Sequence, residues 1–174
     1  IVSTPAQQRL WFLDRFTAHP EVYHVPLLLH FQGSLDLVAL RSAFENLEMR
    51  HEALRTRFTR ENEQVFQSVP QPAAVDLGST ATNENLLATV EEWAKQPFAL
   101  EDERLWRAKI FRATPTEHYL ALVAHQAVLD ESSWGPLLSD LEKCYTAAVS
   151  GVTLPPEPNT IQLGDVAQAQ QIWL

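Results

Sequence analysis

Residues 119–124 form a continuous apolar run of strand length. A run without polar alternation predicts a strand that is buried on both faces. Polar side chains follow where this strand would end, namely His125, Gln126 and Asp130. Because α/β proteins commonly place their chemistry where a strand ends and a helix begins, this junction is the first candidate site.

A helix is predicted directly after the junction. Ser133 is a good N-cap residue, and Pro136 is tolerated in a first helical turn. Apolar residues then recur at helical spacing: Leu137, Leu138, Leu141, Tyr145 and Ala148.

The same periodicities predict the other elements. Helices are expected over 6–16, over 37–52, and from Leu86 to an end before Pro97. Strands are expected over 25–31, 54–58, 64–69 and 105–111. Asp36 caps the second helix. Pro26 cannot donate to a sheet ladder, so it belongs at a strand start or on a sheet edge. The strands at 54–58 and 64–69 form a hairpin, and the strand at 105–111 pairs with the central run as an antiparallel neighbour.

These elements predict an α/β (α+β) sandwich, a mixed β-sheet flanked by helices, within one domain spanning 1–174. Residues 70–83 are rich in Pro, Ser and Thr and predict a surface loop. Residues 151–159 contain three prolines and predict a connector. The segment from Ile161 to Leu174 has a helical pattern without capping chemistry at its end, which favours a chain that is part of a longer protein.

Composition excludes several classes of partner. The formal net charge is -9, whereas phosphate-backbone binding needs clustered Lys and Arg, so nucleic acid is not expected as a partner. The sequence has neither an apolar span long enough to cross a bilayer nor a signal peptide, so a membrane is not expected either.

Cys144 is the single cysteine, which rules out an intramolecular disulfide and favours a cytoplasmic setting. Its position within a helical pattern predicts a packed side chain rather than a nucleophile.

Strand geometry separates the two polar residues at the end of the central run. Adjacent residues on a strand point to opposite faces, so only one of His125 and Gln126 can face a given pocket. The pattern His-Gln-x-x-x-Asp is weak evidence by itself, because a histidine at a strand end is commonly a hydrogen-bonded structural residue.

Three ordered motifs resemble those of nonribosomal peptide synthetase condensation domains. Thr-Pro-Ala-Gln-Gln-Arg-Leu-Trp at 4–11 resembles the opening signature of that family, and Arg-His-Glu-Ala-Leu-Arg-Thr-Arg-Phe at 50–58 resembles the second signature without a departure. Residues 125–133 lie where the family has His-His-x-x-x-Asp-Gly, and 161–174 faintly resembles the Asp-Tyr-Ala segment that follows.

The resemblance implies one lobe of a fold similar to chloramphenicol acetyltransferase, in which two lobes enclose a tunnel. This chain would be the N-terminal lobe, over 1–174, without the second lobe. The implied reaction is attack by the α-amine of one carrier-bound thioester on an acyl or peptidyl thioester of another. The implied partners are peptidyl or acyl carrier proteins, whose phosphopantetheine arms bring the substrates. No metal or bound organic cofactor would belong to the domain itself.

The sequence departs from the family motif at two positions. Gln126 replaces the second histidine, which in the family orients or deprotonates the amine, and Glu131 replaces the glycine. A glutamine cannot take up a proton near neutral pH, so impaired condensation is expected. Glu131 is either a solvated carboxylate or a substitute base. Its repulsion of Asp130 would raise the pKa of one of the two.

The remaining residues of the motifs are expected to support the site. In the resemblance, Asp130 is structural and pairs with an arginine, for which Arg55 and Arg57 are both candidates. Arg50, Arg55 and Arg57 would brace the active-site loop rather than contact the substrate. His51 would be structural, because it ends a helix where a cation suits the dipole, and Ser133 would start the helix that follows.

Two functions remain open at this point. One is an amide-forming condensation domain with His125, Gln126 and Asp130 at its centre, impaired by the loss of the base. The other is a non-catalytic relative that serves as a docking platform for a carrier protein or a tailoring enzyme. The heterocyclising branch of the family carries Asp at the position of His125 and is therefore disfavoured.

Overall fold

The computed structural model describes residues 1–82, 85–101, 103–155 and 161–173. Five α-helices are described: α1 (Pro5–Phe16), α2 (Leu37–Arg50), α3 (Leu86–Lys95), α4 (Trp134–Val149) and α5 (Leu163–Trp173). The strands are β1 (His24–Gln32), β2 (Arg57–Glu61), β3 (Gln64–Ser68), β4 (Leu77–Ala81), β5 (Trp106–Thr114) and β6 (Glu117–His125). Short 3₁₀ helices span Pro20–Tyr23, Glu52–Arg55 and Glu131–Ser133.

Four strands form the main sheet in the order β1-β6-β5-β4. The predicted central run is β6, which is antiparallel to both β1 and β5, while β4 is parallel to β5. The predicted mixed sheet flanked by helices is confirmed. Pro26 lies in β1, at an edge of this sheet, where its missing N–H leaves no ladder bond unmade.

Helices cover both faces of the sheet, which explains the unbroken apolar pattern of β6. On one face, α2 and α4 pack against each other, and Phe44 of α2 stacks on Trp106 of β5 with ring centroids 5.3 Å apart. On the other face, Trp93 of α3 meets Phe111 of β5 edge-on. Every residue from Leu120 to His125 is buried. A strand with two covered faces needs apolar residues at all positions.

A separate hairpin, β2–β3, holds the start of the chain. The register pairs Phe58 with Gln67, as the predicted hairpin requires. The N-terminal segment runs beside β3, where the amide of Ser3 donates to the carbonyl of Val65 at 2.9 Å. This pairing fixes the entry to α1.

The structure corrects three predictions of local structure. The predicted loop at 70–83 contains β4, a short strand whose Gly78, Ser79 and Thr80 give little apolar signal. Residues 54 and 55 belong to a 3₁₀ helix, so β2 begins only at Arg57. Ser133 makes no side-chain capping bond, and Asp130 caps the preceding 3₁₀ helix instead.

The predicted C-terminal helix is confirmed as α5, whereas the predictions for 156–160 and Leu174 lie outside the described residues. Cys144 is buried in α4, as predicted. No helix in the described ranges is long and apolar enough to span a bilayer.

Candidate active site

The end of β6 is held by backbone hydrogen bonds on both sides. The amide of His125 donates to the carbonyl of Leu105 at 2.8 Å, and the amide of Gln126 donates to the carbonyl of Tyr23, also at 2.8 Å. The segments that enter β5 and β1 therefore fix the backbone from which both side chains leave.

The side chain of His125 is fully buried, with no exposed surface. Its Nδ1 accepts a hydrogen bond from the amide of Ala127 at 3.0 Å, so the proton of the neutral ring lies on Nε2. Nε2 faces Oδ1 of Asp14 at 3.3 Å. Burial, together with the nearby His24, lowers the pKa of His125 to about 4. The imidazole is therefore neutral at pH 7 and has no free nitrogen for a substrate.

Another histidine, His24 of β1, lies beside His125. Its Nδ1 is 2.8 Å from the carbonyl of Ala94, and its ring packs edge-on against Phe98 with centroids 5.0 Å apart. The ring centroids of His24 and His125 are 6.3 Å apart. Burial lowers the pKa of His24 and raises that of Asp14. Burial at the end of β6 therefore disfavours the charged forms of His24, Asp14 and His125.

Gln126 lies on the opposite side and is exposed. The predicted divergence of the two side chains is confirmed, since His125 points into the protein while Gln126 points out of it. The exposed group is a primary amide, which can donate and accept hydrogen bonds but cannot act as a base near neutral pH.

Asp130 closes the turn that follows. Its Oδ1 accepts from the amide of Ser133 at 2.9 Å and from the hydroxyls of Ser132 and Ser133. These bonds, led by that of the Ser133 hydroxyl, lower the pKa of Asp130. Asp130 is therefore not the carboxylate of the Asp130–Glu131 pair whose pKa is raised. Glu131 itself is exposed at the start of the 3₁₀ helix.

The expected pairing of Asp130 with Arg55 or Arg57 is not formed. Arg55 donates to the carbonyls of Glu48 and Pro70, at 2.8 and 2.7 Å. Arg57 donates to the carbonyl of Thr56 at 3.2 Å. Both arginines hold the backbone around the second signature, so they act as braces for that segment rather than as partners of Asp130.

The second signature connects α2 with two other helices. Nε2 of His51, at the end of α2, lies 2.9 Å from Oδ2 of Asp140 in α4. The side chain of Gln162, just before α5, accepts from the amide of Glu52 and donates to the carbonyl of Arg50, both at 3.0 Å. The structural role predicted for Arg50 and His51 is consistent with these contacts.

Several buried polar residues near this region escaped the sequence reasoning. Gln7 and Asp14 lie seven residues apart on the inner face of α1, where Gln7 is 3% exposed and the side chain of Asp14 is 12% exposed. Glu48, one turn after Phe44 on the core side of α2, is 1% exposed. The available signal was a polar residue at a core-facing helical position.

A model of the condensation-domain family matches residues 1–173. The chain belongs to this family. It is 36% identical over 183 residues to malpibaldin synthetase from Mortierella alpina, covering 97% of this chain and 3% of that protein. It is 37% identical over 162 residues to a probable non-canonical nonribosomal peptide synthetase, CymA, from Salinispora arenicola, covering 92% of this chain and 2% of CymA.

Among solved structures, this condensation-domain chain is similar to the X-domain from teicoplanin biosynthesis in its complex with OxyB. The TM-score is 0.93 at 30% identity, and the match covers 99% of this chain and 38% of the X-domain chain. The chain therefore spans about two fifths of that solved chain and a few per cent of the synthetases.

The strand end of this condensation domain presents one neutral hydrogen-bonding group, the Gln126 amide, on a backbone held from both sides. The ring of His125 accepts a hydrogen bond from the amide of Ala127, the next residue after Gln126. Asp130 accepts the hydrogen bonds that close the following turn. Among the described residues, no group of three or more His, Cys, Asp or Glu is placed to hold a metal ion.

Proposed function

We propose that this chain is one lobe of a condensation domain in a nonribosomal peptide synthetase. With its second lobe, the domain joins an amino group on one carrier-protein thioester to an acyl or peptidyl group on another. The observation that carries the proposal is the exposed Gln126 at the anchored end of β6, at the position of the family's second histidine. The extent of the match with the X-domain, 38% of that chain, supports a missing lobe.

In this reaction the amine nitrogen attacks the thioester carbonyl carbon, the C–S bond breaks, and the thiol leaves with the proton that the amine releases. Gln126 would orient the amine or the carbonyl through its amide without accepting that proton. General-base catalysis is typically worth about 10²–10⁴-fold, while positioning of reactants supplies about 7–11 kcal/mol. The domain is therefore a slow condensing enzyme rather than a silent one.

Partners and setting follow from the same proposal. The substrates arrive on the phosphopantetheine arms of carrier proteins, so the domain itself needs no organic cofactor. The buried single cysteine and the carrier-bound substrates support a cytoplasmic location.

A second candidate function is a non-catalytic docking platform for a tailoring enzyme or a carrier protein. The observation in its favour is the 30% identity and TM-score of 0.93 with an X-domain that was solved in complex with OxyB. The lack of a base at Gln126 suits this function equally well.

The test uses the full-length protein that contains this chain, with aminoacyl groups loaded on its carrier proteins. Amide formation is followed by mass spectrometry of the intact carriers. We expect slow turnover in the wild type and an increase of about 10-fold or more for Gln126→His, because a base is restored. Gln32→His is the matched control, since Gln32 is also exposed but pairs with Glu117 at the opposite end of the β1–β6 ladder.

Each outcome selects between the two functions. A rate that Gln126→His does not raise contradicts the claim of a missing base. If neither protein forms product while an oxygenase from the same biosynthetic system binds the domain, the docking function replaces the catalytic one.

A further inference from the structure

A network of hydrogen bonds between buried polar groups connects the start of α1 with the turn after Gln126, at the end of β6. Gln7 is 3% exposed and Gln67, in β3, is 2% exposed. Nε2 of Gln7 donates to Oε1 of Gln67 at 3.3 Å and to the carbonyl of Ala127 at 3.4 Å. One amide group therefore joins three segments that are distant in sequence.

The orientation of the Gln7 amide is set by the cap of α1. The amide of Thr4 donates to Oε1 of Gln7 at 2.8 Å, while Oγ1 of Thr4 accepts from the amide of Gln7 at 3.1 Å. This reciprocal capping box requires an oxygen facing Thr4. The NH₂ group must then face the opposite way, towards Ala127 and Gln67.

The carbonyl that Gln7 holds belongs to the residue directly after Gln126. The amide of Ala127 is bonded to Nδ1 of His125, and the amide of Gln126 is bonded to the carbonyl of Tyr23. With the Gln7 bond included, Gln126 lies between peptide groups that are fixed on both sides. The direction in which its side chain leaves the backbone depends on these bonds.

We infer that Gln7 is a positioning residue for Gln126, which it aims by holding the Ala127 carbonyl. This inference rests on the proposed function for its kinetic consequence, but its structural part stands on the hydrogen bonds alone. Gln7 does not touch the substrates and acts only through the turn at 126–127.

The chemistry of the capping box explains why the residue is Gln rather than Glu. A glutamate at the third helical position completes a capping box just as well, and its charge suits the helix N-terminus. It has no N–H groups, however, so it cannot donate to the Ala127 carbonyl. A residue needed only for the helix cap would be replaceable by Glu.

The test compares Gln7→Glu with Gln8→Glu in the full-length protein. The Gln8 side chain makes a local bond to the carbonyl of Ser3 at 2.8 Å, so Gln8→Glu makes the same chemical change one position along the helix. In Gln7→Glu we expect the amides of residues 127–129 to exchange with solvent about fivefold faster, as for one lost hydrogen bond. In Gln8→Glu their exchange should match the wild type.

The kinetic readout separates positioning from general support of the fold. For Gln7→Glu we expect kcat for amide formation to fall by about 10-fold or more, with little change in KM, because misplacement of a reacting group costs rate. Gln8→Glu should leave both constants unchanged. If Gln7→Glu fails to fold, Gln7→Met removes the same donor without burying a charge and takes its place in both measurements. Because Met also loses the bond from the amide of Thr4, Thr4→Val, which weakens the capping box but leaves the Gln7 donor, is then the control.

The outcomes distinguish this inference from the proposed function. If Gln7→Glu matches Gln8→Glu in the exchange of 127–129 and in kcat, Gln7 is not a positioning residue. If the wild type forms no amide at all, the proposed function fails, and the exchange measurement alone decides whether Gln7 holds the turn.

Discussion

Oδ1 of Asp14 lies 3.3 Å from Nε2 of His125, so helix α1 meets the end of β6 through two titratable side chains. The contact is buried on the histidine side and nearly so on the carboxylate side, where 12% of the side chain is exposed. It keeps the imidazole inside the protein as a neutral donor. The exposed side chain at this strand end is therefore that of its neighbour, Gln126.

The first prediction concerns stability at mildly acidic pH. Burial holds the pKa of His125 at about 4 in the folded protein, against about 6.5 in an unfolded chain. As the pH falls below 6.5 the unfolded chain binds a proton that the folded protein does not, so the free energy of unfolding falls with the pH until about pH 4. Between pH 7 and 5 we expect a loss of about 2 kcal/mol, measured by urea unfolding.

His125→Gln should remove most of that loss, while the control His19→Gln should retain it, because the side chain of His19 is 75% exposed. The lowered pKa of His24 acts in the same direction as that of His125, whereas the raised pKa of Asp14 acts in the opposite direction. Equal pH dependence in the wild type and His125→Gln would contradict the prediction.

The second prediction concerns the buried ion pair between Glu48 and Arg104. Oε1 and Oε2 of Glu48 accept from Nε and Nη2 of Arg104 at 2.7 and 3.1 Å, and Oε1 also accepts from the indole of Trp106 at 3.0 Å. Glu48→Ala leaves the guanidinium and the indole without this acceptor. Because 22% of the Arg104 side chain is exposed, we expect a loss near the lower end of the range for broken buried pairs, about 3 kcal/mol.

Thermal and urea unfolding would measure this loss. Glu48→Gln keeps an acceptor for Trp106 and should cost less. Glu91→Ala, which removes an exposed i,i+4 pair with Lys95, is the control and should have little effect. A Glu48→Ala protein as stable as Glu91→Ala would show that the pair does not hold α2 to the sheet.

The third prediction concerns the turn after the strand end. Asp130→Ala removes the cap of the 3₁₀ helix at Glu131–Ser133 together with the bonds from Ser132 and Ser133. We expect a loss of about 1 kcal/mol, or about 2–4 °C in Tm for a domain of this size. Asp130→Asn keeps an acceptor and should recover part of the loss. Glu131→Ala, the adjacent exposed carboxylate, provides the comparison, and an equal Tm for Asp130→Ala and Glu131→Ala would rule out the capping role.

The fourth prediction concerns the thiol of Cys144, which is 2% exposed on α4. Burial in an apolar setting keeps a cysteine unreactive. A thiol reagent should therefore modify the peptide containing Cys144 rapidly in urea and very slowly in the native protein, as followed by mass spectrometry. Rapid labelling of the native protein would mean that the packing of α4 opens readily.

Periodicity predicted most of the fold because most elements bury a regular face. The apolar run of β6 and the helical periodicity of α2 are the clearest cases, since packing on both sides of the sheet demands them. β4 was missed because it is a five-residue edge strand in which only Leu77 is buried. The hydrogen bonds that hold it to β5 depend on backbone alignment rather than on side-chain pattern.

The candidate site was predicted only in part. Alternation along the strand separated His125 from Gln126, but it could not tell which of them faced inward. That choice depends on Asp14, His24 and Phe98, which come from other elements and share no local signal with the strand end. The partners of Asp130 were missed because they are its neighbours in sequence. Ser132 and Ser133 donate to the carboxylate that was expected to pair with an arginine.

The strand order also constrains how the chain folds during its synthesis. In the part of the chain that the structure describes, β1 pairs only with β6. About 85 residues lie between them, which a ribosome adds at about 5–20 residues per second. For several seconds the nascent β1, with its leucines, has no neighbour in the sheet. Pro26, which lacks an N–H group, then disfavours pairing of the unpaired β1 segment with a strand of another polypeptide.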